Sequence, residues 1–143
     1  MLCKEIMKHD IQCVSPEDTV EVAAQKMRDW NVGFLPVCDP SKKVLGTLTD
    51  RDIAIRLVAE SRPPSTRVQD VMTHEIVACK PADDIRRAEQ LMGKHRKSRI
   101  MCVDDDGVLV GVISLSDIAQ SENGAQAMRT MRQITEREAR PRT

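Results

Sequence analysis

Tyrosine is absent from the 143 residues, and the aromatic complement is one Trp and one Phe. Platforms for single-stranded nucleic acid stack bases on aromatic rings, so this chain lacks their raw material. An excess of charge of either sign is also missing, because 22 basic and 22 acidic residues cancel. That balance excludes a dominant electrostatic footprint for nucleic acid or an anionic membrane. No apolar run approaches the ~20 residues that cross a bilayer. The opening MLCKEIMKHD has no apolar stretch of signal-peptide type, so the expected location is cytoplasmic. Cys3, Cys13, Cys38, Cys79 and Cys102 are odd in number and show no C-x-x-C pair. They read neither as a disulfide framework nor as a zinc site. In a reducing compartment they are expected to act as small hydrophobes. The alternative is a redox-sensing Cys3 or Cys13.

What is present is an aliphatic core and a repeat. A hydrophobic fraction of 41% with almost no aromatics means a core of Val, Ile, Leu, Met and Ala. A chain of this length buries roughly two-thirds of its unfolded surface. Sliding the chain by 65 residues matches it to itself without a gap: Met7 falls on Met72, His9 on His74, Pro16 on Pro81, Ala23 on Ala88, Met27 on Met92, Gly46 on Gly111. Asp52-Ile53-Ala54 falls on Asp117-Ile118-Ala119. Such self-similarity fixes architecture before any other signal. It divides the chain into repeat 1 (3–60), a linker (61–67) carrying Pro63-Pro64, repeat 2 (68–121) and a tail (122–143).

Both repeats parse alike. KEIM is a helical turn and IQCV a short strand. Ser15 is placed as N-cap with Pro16 at the first helical position. Val20, Ala23, Ala24, Met27 and Trp30 then form a helical stripe. FLPVC and VLGTLT read as a hairpin around DPSKK, and DRDIAIRLVAE as a closing helix. In repeat 2 the helix is expected over about 83–95. The fold class is therefore α/β, with two β-α-β-β-α repeats. A unit this small has a marginal core alone. The expectation is sheet-to-sheet packing with pseudo-two-fold symmetry and two clefts between the repeats.

The runs NVGFLPVCD, VLGTLTDRDIAIRL and VLVGVISLSDIAQ resemble a tandem cystathionine-β-synthase-type (CBS) domain pair, or Bateman module, of the stand-alone bacterial kind. The resemblance covers about 3–121. It implies an adenine ribonucleotide (AMP, ADP or ATP) held in an inter-repeat cleft and used to regulate a partner protein. Thr49 and Asp52 are the candidates to hold phosphate and ribose, because a carboxylate accepts from two ribose hydroxyls at once. Arg51 is the candidate for phosphate charge. By analogy the base lies against Ile11–Cys13 and Gly33, Phe34, Leu35 and Pro36. Ser114 and Asp117 are the equivalents in repeat 2. That copy departs at Met101, opposite Pro36, and at Ser116, opposite Arg51, so its base pocket and phosphate contact are the weaker pair. The purely structural alternative makes Thr49 an N-cap and lets Asp50 and Asp52 complement the helix dipole. Asp50 would also repel a phosphate beside it.

The basic run KHRKSR (94–99) is a solvated helix end or a phosphate clamp, with Arg99 the leading candidate for the clamp. His9 and His74 read as structural or solvent-facing, and no metal is expected. No nucleophile–base constellation or P-loop appears, so the chain is not expected to be an enzyme. In the tail, Ala125, Met128, Met131 and Ile134 define an amphipathic helix that packs on the chain's own core or on a partner. A homodimer is expected. The competing function is a structural protein-interaction module without nucleotide.

Overall fold

A computed structural model describes residues 1–121 and 124–139. The elements are α1 (Cys3–Ile6), α2 (Val20–Trp30), β1 (Phe34–Cys38), β2 (Val44–Thr49) and α3 (Asp50–Ile53), which runs on into a π-helical turn (Ala54–Val58). A 3-10 turn (Val68–Asp70) leads to β3 (Ala78–Cys79), α4 (Ile85–His95), β4 (Arg99–Val103), β5 (Leu109–Ser114), α5 (Leu115–Ala119) and α6 (Gly124–Ala139). The mixed α/β class follows the repeat; the β-α-β-β-α order is complete in the second copy, and in the first its opening strand is a single bridge. The tail residues 122–123 and 140–143 lie outside the described residues.

Contacts divide the chain into two compact units: Gln12–Ile76, and Met1–Ile11 together with the chain from Val77 onward. The first residues of each repeat are thus built into the unit formed by the other. Cys3 N–H donates to the Asp83 carbonyl at 2.9 Å, and Lys8 bridges Val112. In the same way Val68 N–H donates to the Asp18 carbonyl at 2.8 Å, and Thr73 bridges Thr47. Arg56, from the π-helical turn, holds this second segment by donating to the carbonyls of Met72 (2.8 Å) and Val71 (3.3 Å).

Two glycines permit the crossing. A Cβ on Gly46 would lie 2.3 Å from the Thr73 carbonyl oxygen, and one on Gly111 2.5 Å from the Met7 sulfur. Only a residue without a side chain lets the incoming segment lie this close to the hairpin. The matched pairs Met7/Met72 and Gly46/Gly111 are therefore the two sides of one contact.

In the Gln12–Ile76 unit, β1 and β2 form an antiparallel hairpin with Phe34 opposite Thr49 and Leu35 opposite Leu48. The expected IQCV strand contracts to one parallel bridge, Val14 with Val37. In the other unit β3 runs parallel to β4, and β4 antiparallel to β5 with Arg99 opposite Ser114. The two cores share equivalent positions at the repeat offset. Val20, Ala23, Met27, Leu35 and Leu48 occupy one; Ile85, Ala88, Met92, Ile100 and Ile113 occupy the other.

Three local expectations are corrected. Helix α2 starts at Val20, and its N-cap is Thr19, whose hydroxyl accepts from Val22 N–H. Ser15 instead opens a turn: its N–H donates to the Asp18 carboxylate at 2.9 Å and its carbonyl accepts from Asp18 N–H. Proline at the second position of that turn satisfies the sequence signal without starting a helix. The α2 stripe is also narrower than expected, because Ala24 and Trp30 are exposed. In α6 the buried face is Ala127, Thr130 and Ile134, while Met128 and Met131 face solvent. Gly93 of α4 lies against the Gln133 side chain of α6.

Candidate functional site

In the Gln12–Ile76 unit the candidate residues converge where β2 ends and α3 begins. Thr49 and Asp52 form a reciprocal capping box: Asp52 N–H donates to the Thr49 hydroxyl at 3.1 Å, and Thr49 N–H donates to Asp52 Oδ2 at 3.1 Å. Strand pairing sets Phe34 directly beside Thr49. The Gly33 carbonyl accepts from Asp50 N–H at 3.0 Å. A Cβ on Gly33 would meet an Asp50 oxygen at 2.6 Å, so the absence of a side chain makes room for that carboxylate. Thr73 completes the cluster by donating its hydroxyl to Asp52, 3.2 Å from Oδ1 and 3.3 Å from Oδ2.

These bonds leave chemical capacity. A carboxylate offers about four lone-pair directions, and Thr49 N–H and one Thr73 proton occupy only part of them. The Thr49 hydroxyl accepts from the helix and keeps its own proton to donate. Both residues are half-buried, and Arg51 is exposed in the first turn of α3. Leu35 is different. Its side chain is fully buried in the core, so only its backbone can face a ligand. The Pro36 carbonyl is taken by Val14 N–H and the Cys13 carbonyl by the Lys26 ammonium. Ile11 is half-buried and belongs to the other unit.

The second copy has the same frame with different charges. Asp117 N–H donates to the Ser114 hydroxyl at 3.1 Å, and Ser114 N–H donates to Asp117 Oδ2 at 2.9 Å. Arg99 is exposed and paired in register with Ser114. The Lys8 ammonium lies 3.6 Å from Asp117 Oδ1. Lys8 and Thr73 stand at equivalent repeat positions, so the exchanged segment delivers the third member of each cluster. The candidate cations sit on different elements, Arg51 in the first turn of α3 and Lys8 on the incoming segment beside Asp117.

Sequence reasoning missed Thr73 and Lys8. The repeat offset aligns them, but their chemistry differs, so no match drew attention to the position.

The basic run is mostly a helix end. Lys94 and His95 close α4, and Arg96 caps it in the left-handed conformation at φ 56. His9 and His74 are both exposed. Among the described residues no group of three His, Cys, Asp or Glu is arranged to hold a metal ion, and no helix is long and apolar enough to cross a membrane. Burial and the neighbouring Cys13 thiol push Cys38 up to about 12.

Comparison with known proteins gives a consistent picture. The CBS domain profile matches residues 3–59 and again 68–124. A CBS domain-containing protein of Bacillus subtilis is 39% identical over 119 residues, covering 83% of this chain and 84% of its own. An inosine-5′-monophosphate dehydrogenase of Methanocaldococcus jannaschii is 35% identical over 125 residues; the match covers 87% of this chain and only 24% of that enzyme. Among solved structures, Hypoxic Response Protein I, known by that name in Mycobacterium tuberculosis, was crystallised with two coordinated zinc ions. It is 30% identical, with a TM-score of 0.78 over 84% of this chain and 98% of its own. A CBS domain pair crystallised with 5′-methylthioadenosine and S-adenosyl-L-methionine is 23% identical, with a TM-score of 0.77 over 87% of this chain and 98% of its own. A further protein, crystallised with AMP, is 20% identical, with a TM-score of 0.73 over 90% of this chain and 98% of its own. The last two likenesses are of fold.

Proposed function

The chain belongs to the CBS-domain family as a tandem pair, and from that premise we propose that it is a non-enzymatic regulatory module whose ligand is an adenine ribonucleotide. The observation that carries the reading is the Thr49–Asp52–Thr73 cluster. It sets a carboxylate with spare acceptor capacity and a hydroxyl with a free proton at one strand–helix junction. Asp52 takes the ribose hydroxyls, Thr49 a ribose or phosphate oxygen, and Arg51 the phosphate charge. Ser114 and Asp117 take the same roles in the second copy, with Lys8 and Arg99 as its cations. The aliphatic surroundings and the backbone of Gly33–Pro36 receive the base. Related pairs crystallised with AMP or with S-adenosyl-L-methionine support this ligand class. Zinc in another relative concerns that protein. The ligand acts on a partner protein only if it binds one conformation of the pair better than another.

Ribose recognition gives the test. Calorimetry with AMP and with 2′-deoxy-AMP should show the deoxynucleotide binding at least about tenfold more weakly, the value of a lost charge-assisted hydrogen bond. Asp52→Asn keeps an oxygen for the cap and should abolish most of that discrimination. Equal binding of both nucleotides would remove Asp52 from the ribose. The second reading, a protein-interaction module without nucleotide, draws on the capping boxes themselves, which already give Thr49, Asp52, Ser114 and Asp117 a structural role. Capture of one stable partner at equal yield with and without AMP would favour it.

A further inference from the structure

Three of the five cysteines gather in one core. Cys3, Cys79 and Cys102 are 0%, 3% and 0% exposed and share the cluster formed with Ile85, Ile100 and Ile113. The Cys79 and Cys102 sulfurs are 3.3 Å apart. Cys3 joins them from α1, with its thiol turned toward the Asp84 carbonyl at 3.8 Å. At the repeat offset the corresponding residues are Val68, Val14 and Val37, and all three are buried in the other core. Packing is therefore met by valine at each of these places. Three thiols at three mutually adjacent positions ask for an explanation beyond volume.

We propose that Cys79 and Cys102 are a reversible disulfide pair and that Cys3 is the thiol through which a hydroperoxide makes the bond.

The backbone is already suitable. Cys79 and Cys102 are direct partners across the parallel β3–β4 pairing. Neighbouring strands lie about 4.7–4.9 Å apart, inside the Cα separation of roughly 4.4–6.8 Å that a disulfide tolerates. Closing the bond requires side-chain rotation and no movement of the strands. Cys3 is the member carried by a four-residue helical turn; the neighbouring Cys102 and Cys79 thiols lower its pKa, against burial and the charges of Asp83 and Asp84, which raise it. The same arrangement pushes Cys79 and Cys102 up. Access also runs through Cys3. Its helix is one turn of four residues, attached through Cys3 N–H to the Asp83 carbonyl and Lys4 N–H to the Pro81 carbonyl, both at 2.9 Å, with the flanking residues held by Ile85 N–H to the Met1 carbonyl and by the Lys8–Val112 bridge. Opening of so short an element is the cheapest local unfolding that uncovers the thiols.

The chemistry balances. The Cys3 thiolate attacks the outer oxygen of the hydroperoxide; the O–O bond breaks, Cys3 becomes a sulfenic acid, and the alcohol leaves with a proton. The Cys102 thiol attacks that sulfur and gives its proton to the departing hydroxide, forming the Cys3–Cys102 disulfide and water. The Cys79 thiol then attacks Cys102 and passes its proton to the departing Cys3 sulfur, forming Cys79–Cys102 and releasing Cys3 as a thiol. Two thiols have lost two protons and two electrons, and one hydroperoxide has become one alcohol and one water. A thiol reductant reverses the change.

The test uses the whole folded chain and hydrogen peroxide. After exposure the protein is acid-quenched, unfolded, alkylated and digested without reduction, and the peptides are identified by mass spectrometry. The expected result is a Cys79 peptide joined to a Cys102 peptide, with Cys3 alkylated and the link removed by dithiothreitol. Cys3→Val places in this core what Val68 supplies in the other, and it should slow the link by about tenfold or more. Cys3→Ala serves the same purpose if the valine variant loses its circular dichroism spectrum. Recovery of Cys79 and Cys102 separately alkylated, or oxidised beyond the sulfenic state without a link, would overturn the disulfide. A stable end product containing Cys3, or an unslowed link in a folded Cys3 variant, would overturn the role of Cys3.

Discussion

At the scale of single residues, Asp52 has two tasks, and they can be separated. It accepts from Thr49 N–H as part of a helix cap, and it turns spare acceptor capacity outward. Asp52→Ala removes both and should cost about 1 kcal/mol of stability from the cap alone. Urea unfolding without ligand measures that term, and calorimetry on the folded variant measures the other. Lys8→Ala tests the second copy. It removes the cation beside Asp117 and should weaken binding of a nucleoside monophosphate there while leaving adenosine nearly unaffected. Equal losses for both ligands would show that Lys8 does not face phosphate. Gly46→Ala should destabilise by about 1–3 kcal/mol, the usual cost of overpacking, because its Cβ meets a backbone oxygen that cannot rotate away. Gly33→Ala should cost less, since the Asp50 carboxylate it meets is a side-chain end. Much of this was legible. Thr49, Asp52, Ser114 and Asp117 stand out from the repeated pattern, and the bonds that join each pair are those of a helix cap, the structural role the sequence offered beside ligand binding. Lys8 and Thr73 were not legible, because their meeting with the carboxylates depends on an exchange of segments that spacing does not encode.

At the scale of elements, the start of α2 and the face of α6 show where patterns mislead. Ser15-Pro16 and Thr19 are both valid helix openers. Tertiary bonds decide between them, since Val20 N–H and Glu21 N–H are occupied by the carbonyls of Thr66 and Pro64. In α6 the three-residue spacing of Ala125, Met128 and Met131 is real, yet the face that packs is Ala127, Thr130 and Ile134. That docked face has a titratable consequence. Glu89 of α4 is buried at 2% exposure, and desolvation raises its pKa, with Gln126 offsetting part of the rise. Asp84 pushes it the same way, while Arg86 and Arg129 pull it down. A raised carboxyl pKa favours the folded state fully below the unfolded value near 4.3–4.5, and that contribution fades as pH climbs through the folded value. Glu89→Gln keeps the shape without the charge. Its stability advantage over the parent should therefore be larger at pH 8 than at pH 5 in urea titrations. An advantage independent of pH would show that Glu89 does not titrate differently on folding.

At the scale of the whole molecule, the repeat explains the economy of the chain. Two copies of one β-α-β-β-α pattern account for nearly all described residues outside α6, and each carries one capping box at its strand–helix junction. We propose a homodimer that draws on exposed apolar side chains of either unit, Trp30, Ile55 and Val58 in one and Met128 and Met131 in the other. Light scattering at micromolar concentration should give twice the chain mass, and a monomer would remove that expectation. The absence of tyrosine and the single phenylalanine also shape the proposal: with little aromatic surface beyond Phe34, aliphatic side chains and backbone are proposed to hold the adenine, and Asp52 and Asp117 to select ribose. The most direct measurement is calorimetric titration of the folded chain with AMP, ADP and ATP. The account predicts saturable binding of at least one of them, weakened by Asp52→Asn or by Asp117→Asn. Absence of heat and of any thermal stabilisation with all three nucleotides would contradict it.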